Sequence, residues 1–184
     1  SDAWDPLRYG KDYDFSKPFI EQYRELLTVV PFPHLQVKYQ TLVNSDYNNM
    51  AHQLKNCYLL FNSDYNENGS YGSEVERSHD FLDLMMADSC TLSAHSVNVR
   101  NCYRAFFSID CNDCHDIWFS KDLVGCSNCF GCMNLRNQQY CMFNVRYSKE
   151  EYEKKTIEMK VDSHTALEGI KKKVRQFWQR YPVK

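Results

Sequence analysis

Two thiol motifs are the first residues whose spacing suggests chemistry: Cys111-x-x-Cys114, and then Cys126-x-x-Cys129-x-x-Cys132. Paired thiolates across a tight turn suit a tetrahedral ion, so these five cysteines are the metal-ligand candidates and zinc the one cofactor in view. A packing role competes with that reading. Cysteine is small and often buried, and thiols at a constant offset in a repeat stack into an internal ladder without any metal. Cys90, Cys102, Cys114 and Cys126 follow one another at intervals of twelve residues, and Cys90 and Cys102 have no CxxC partner. The ladder, with no cofactor, is therefore the preferred reading.

Asp110, Asp113, Asp116 and Asp122 lie among these cysteines. Two carboxylates on neighbouring coils are what a glycosidase needs, but without a partner constellation they read as solvated turn residues, and no catalytic residue is assigned. His115 follows Cys114, yet adjacent residues of a strand face opposite ways, which argues against a thiol–imidazole pair. Near the C-terminus Lys171, Lys172, Lys173, Arg175 and Arg180 are candidates for phosphate contacts, set against the plainer reading of a solvated helix face.

The elements that would position these residues follow from repeats. Beside the twelve-residue cysteine series, Cys129 and Cys141 share the same offset, and Phe106-Phe107 match Trp118-Phe119. Asn56-Cys57-Tyr58 returns as Asn101-Cys102-Tyr103 after 45 residues, which is not a multiple of twelve and implies a slip by insertion or deletion. All 14 asparagines fall between Asn44 and Asn144, and asparagine tolerates left-handed bends. The expected fold is mainly β, a short parallel β-solenoid over 44–147. A coil of 22 to 24 residues is preferred to one of twelve, because most of the 27 aromatic residues are expected in the core; this gives about four to five coils. Open ends of such a rod need caps. An N-terminal aromatic segment and helix over 1–43, with Pro18 at its start and an end before Pro31, is one candidate. A helical segment over 148–184 is the other, with a capping box at Ser148 and Glu151 and an end at Pro182.

With 184 residues, 43% of them apolar, the chain has room for one domain with a genuine core and is not dominated by disorder. The solenoid segment carries 7 basic against 12 acidic residues and the tail 10 against 6. No apolar run is long enough to span a bilayer and no export signal opens the sequence, so a soluble cytoplasmic protein with reduced thiols is expected.

Several phrases carry a resemblance. They are Trp4-Asp5-Pro6-Leu7, Lys55-Asn56-Cys57-Tyr58-Leu59, Gly125-Cys126-Ser127-Asn128-Cys129-Phe130-Gly131-Cys132 and Tyr147-Ser148-Lys149-Glu150-Glu151-Tyr152. Together they make the chain similar to a family of cysteine-rich repeat (solenoid) proteins of candidate-phyla-radiation bacteria. Members of that family carry CxxC zinc motifs upstream of the Trp-Asp-Pro segment, and neither those nor its downstream repeats are present here. The resemblance implies an internal piece of a longer protein and transfers no activity. Where that family has cysteine, this sequence has Leu84, Met85 and Met86, a replacement that fits packing. The function expected is a non-catalytic scaffold or binding module with a protein partner. The alternatives are a nucleic-acid module using the basic helix and a carbohydrate-active β-helix enzyme.

Overall fold

The computed structural model describes residues 5–32 and 35–181; Trp4 and Pro182 lie outside them. The chain divides into two units between Leu35 and Gln36. The first holds a 3-10 turn at Pro6–Tyr9 and helix α1, Phe19–Val29, which Pro18 precedes as expected.

The second unit is a parallel β-solenoid, and its backbone repeats every three residues. From Asn44 on, the first residue of each triplet has a left-handed φ, the second points inward and is buried, and the third faces out. Hydrogen-bonded neighbours lie twelve residues apart, as with Leu42 beside Leu54, Glu67 beside His79 and Cys129 beside Cys141. Each coil is thus four triplets, and about eight coils, from 44–55 to 128–139, are stacked.

A left-handed corner is costly for most residues with a Cβ, least so for asparagine and aspartate, and worst for β-branched side chains. The sequence obeys this. Among the described residues, 34 non-glycine positions have positive φ; 16 are Asn or Asp and none is Val, Ile or Thr. Corner side chains also tie coils together. Asn44, Asn56 and Asn68 each donate a side-chain amide hydrogen to the next coil, the last to Asp80, over 2.9–3.2 Å. The expected asparagine ladder is real.

Only four side chains per coil point inward, so the interior is narrow and its residues small. Of the aromatic residues in the coils, Phe81 alone points inward. It fits because the coil beneath has Gly69 and Gly72; a Cβ on Gly69 would land inside the Phe81 ring. This corrects the coil length. The aromatic residues that argued for 22 to 24 residues lie outside the tube, so a coil of twelve suffices and the number of coils nearly doubles. No slip occurs either. The 45-residue echo is fifteen triplets, which carries Cys57 and Cys102 to different inward columns of an uninterrupted stack.

Both ends are covered. Gln36–Val43 lies against the first coil, the Gln36 carbonyl accepting from the Ala51 N–H and the Val43 carbonyl from the Asn56 N–H. At the other end Val145–Arg146 turns back antiparallel onto Cys141 and Met142. Helix α2, Lys149–Glu158, starts from the expected capping box: Ser148 Oγ accepts from the Glu151 N–H, and the Glu151 carboxylate from the Ser148 N–H. After a turn at 159–163, helix α3, His164–Trp178, follows. Tyr152, Ile170 and Val174 are buried with Phe119, Phe130 and Met142 on the flank of the last coils.

Candidate functional site

All nine cysteines are inward and buried, and each donates its S–H to the carbonyl two residues earlier, over 3.1–3.6 Å. Ser63, Ser78 and Ser120 make the same bond, and their hydroxyls also accept the N–H twelve residues on, from Val75, Cys90 and Cys132. Asn48 and Asn66 accept in the same way from Leu60 and Ser78. Many inward positions of this tube thus favour a small side chain with a polar atom for backbone groups that face the core, while others hold Leu54, Leu60, Leu84, Ile117 and Leu123. Serine and cysteine suit the former.

The CxxC spacing is explained by the triplet. Cys111 and Cys114 are consecutive inward residues of one coil, and Cys126, Cys129 and Cys132 run inward from one coil into the next. Among the described residues no group of three or more His, Cys, Asp or Glu side chains is arranged to hold a metal ion. Burial pushes the Cys57, Cys111 and Cys141 thiols up. Where thiols touch, the shared hydrogen bond and then burial hold Cys102 up against Cys90, and Cys114 and Cys129 up against Cys126.

A raised thiol value has a definite sign. The neutral form is favoured in the fold, so this stability is fully present below the unfolded value of about 9 and is lost as pH rises above it. By pH ~10 the Cys111 thiol, kept neutral by its burial, should cost about 1 kcal/mol. Thermal melts between pH 8 and 10.5, followed by circular dichroism, should show Tm falling, with a smaller fall in Cys111→Ser.

Of the other candidate residues, Asp110 and Asp122 stand beside each other in one corner column of neighbouring coils, and the rest are dispersed. Asp110, Asp113, Asp116 and Asp122 all occupy left-handed corners. Asp110 accepts from the Asn98 amide at 2.7 Å, Asp116 from Trp118 Nε1 at 3.1 Å, and Asp122 pairs with Arg136 at 2.8 Å. His115 faces out and stacks on Tyr103, away from Cys114. Lys171 pairs with Glu168 and lies over the Phe107 ring, and Lys173 lies over Phe143. Lys172, Arg175 and Arg180 are exposed.

The outer surface carries a feature that the cysteine motifs did not indicate. Two adjacent sides of the tube are rich in apolar residues along their length, with the ion-paired Asp83 and His95 and the small Ser70 and Ser73 among them, but only the last coils are covered. In one column Tyr71 is 51% exposed and, four coils on, Phe119 is 2% exposed beneath the helices; in the next, Tyr58 is 42% exposed and Phe130 fully buried. Phe61, Leu82, Met85 and Met86 continue the uncovered part. Of the run Leu84, Met85, Met86, read above as packing, only Leu84 is inward. A shallow depression of about 310 Å3 crosses this strip, floored by Gly72 and Ser73 between Phe61 and Tyr71 on one side and Met85 and Asp83 on the other. Next to it, around the same coils, lies a second depression of about 350 Å3 with Glu74, Glu76 and Asp88 in its wall.

Fold and core define a cysteine-rich β-solenoid repeat protein. Comparison of the chain with protein-family models and with curated protein sequences gives no match. No helix among the described residues is long and apolar enough to cross a membrane.

Proposed function

We propose that the chain is a non-catalytic protein-docking scaffold whose binding face is the uncovered apolar strip on the first four coils, 44–91. The observation that carries this is the contrast within single columns: the positions held by buried Phe119 and Phe130 beneath α2 and α3 are held by exposed Tyr71 and Tyr58 nearer the N-terminus. Monomeric proteins rarely leave contiguous apolar surface open, and such patches mark interaction sites. A solenoid presents an extended face of this kind without needing a pocket. Charge supports a protein rather than a nucleic-acid partner at this face, since 44–91 contains eight Asp and Glu against two Lys and Arg, a surface that repels phosphates.

Photo-cross-linking from a benzoylphenylalanine placed at Tyr71 or Met85, in cells that produce the protein, tests this. A discrete protein adduct is expected from both positions and none from Asn101, a corner on another side of the tube. The adduct should be lost when Leu82→Ser is added. Adducts of equal strength from Asn101, or none from Tyr71 and Met85, would remove the reading.

A further inference from the structure

The geometry points to a basic amphipathic helix as the occupant of the strip. This rests on the docking reading and adds the chemistry of the partner.

Two independent observations carry it. The first is continuity: the same two sides of the tube that are open on coils 44–91 are closed further on by α2 and α3, two helices that show what these columns accept. Helix α3 places Ile170 and Val174 against the aromatic columns and sets Lys171 and Lys173 over the rings of Phe107 and Phe143, at 5.1 and 4.8 Å. An apolar stripe edged by lysines is thus the pattern that already fits this surface, with cation–π contacts at its margin. The second is charge complementarity. Coils 44–91 have a net charge of −6, from eight acidic and two basic residues, whereas coils 92–139 carry four of each. The excess is placed next to the open strip, where Glu74, Glu76 and Asp88, together with Arg100, line the depression that adjoins the apolar one. Arg77 bridges Glu76 and Asp88 at 3.2 and 3.1 Å, so part of this charge is offset within the chain.

The two depressions set the spacing. They lie on neighbouring sides of the tube, because 71–73 and 83–85 bound the apolar one and 74–76 and 86–88 the acidic one. An apolar side chain and a lysine or arginine three or four residues later lie on one face of a helix, which seats the first over Gly72 and Ser73 and the second beside Glu74. Helix α3 has this arrangement itself, in Leu167 with Lys171 and Ile170 with Lys173.

The probe that follows is a fluorescein-labelled peptide of residues 163–181, added to the full chain and read by anisotropy. Saturable one-to-one binding is expected, about tenfold weaker with Tyr71→Ser and Met85→Ser together, since each removes an exposed anchor. Raising NaCl from about 50 to about 300 mM should weaken it severalfold. Glu74→Gln with Glu76→Gln, which removes no apolar contact, should weaken binding about threefold at low salt and little at high salt. A peptide with Lys171, Lys172, Lys173 and Arg175 all changed to glutamate should bind at least tenfold less well. Equal binding of that peptide would overturn the basic partner and leave the docking face standing. Absence of binding, or binding indifferent to the Tyr71 and Met85 changes because the peptide exchanges with the chain's own α3, would overturn the proposal. Loss of the docking reading itself is registered separately, by the cross-linking result.

Discussion

Changing Gly69 to alanine should cost about 3 kcal/mol or stop the chain folding, a large effect for one methyl group. The cause is local and specific. A coil of four inward residues has no room for a phenyl ring in the plane of its own small neighbours, so the Phe81 ring occupies space left by Gly69 in the coil beneath, with Gly72 close by. A Cβ on Gly69 meets ring atoms of Phe81, and the tube wall, tied by parallel ladders at 67–76 to 79–88, leaves no direction for relief. Phe81→Leu alone should cost about 1 to 2 kcal/mol through lost packing. Combined with Gly69→Ala it should recover much of the stability, because the new methyl then fills space the ring has left. Urea unfolding of the two single variants and the double variant measures this coupling directly. Additive losses would show that the two residues do not share one space.

The same pair explains part of the outer surface. Around Gly72 the outward residues Ser70 and Ser73 of coil 68–79 are small as well, and the apolar depression lies over this part of the coil. The interior solution to one oversized ring thus coincides with the groove in the docking strip.

How much of this was legible in the residues depends on which period is read. The twelve-residue cysteine series gave the solenoid and the ladder, and the asparagines gave the corners. The shorter period was also present. All nine cysteines fall on residue numbers divisible by three, from Cys57 to Cys141. So do the inward serines from Ser45 to Ser120, and among the coil aromatics only Phe81 shares that phase. The twelve-residue offset by itself makes the 45-residue echo look like a slip and places the aromatics inside. It also leaves Tyr58, Phe61, Tyr71 and Met85 unrecognised as surface residues, although their phase marks them as outward. What the phase does not disclose is which stretch of an apolar side is covered. That depends on where α2 and α3 return along the tube, a long-range packing outcome with no local signature. The CxxC motifs mislead for a related reason: three is the step between inward residues as well as the step between zinc ligands.

Three residues set inside from outside and twelve close a coil, and a pair of internal deletions tests this directly. Removing 92–103 excises one whole coil and joins Thr91 to Arg104 in phase. Cys114 then follows Cys90 in its column and Ala105 lies over Phe81, both acceptable neighbours for a narrow core. Removing 93–103, one residue fewer, advances everything downstream by one position. Arg104, Asp110, Asp113 and Asp116 are then directed inward, while Ile109 and Val124 fall on left-handed corners, which β-branched side chains resist. Several unpaired charges in a dry core cost several kcal/mol each, more in sum than the roughly 5 to 15 kcal/mol that holds a domain together. Circular dichroism with thermal melting decides between them. A cooperative β-sheet melt is expected for the chain lacking 92–103 and no folded state for the chain lacking 93–103; equal behaviour of the two, folded or unfolded, would contradict the three-residue phase.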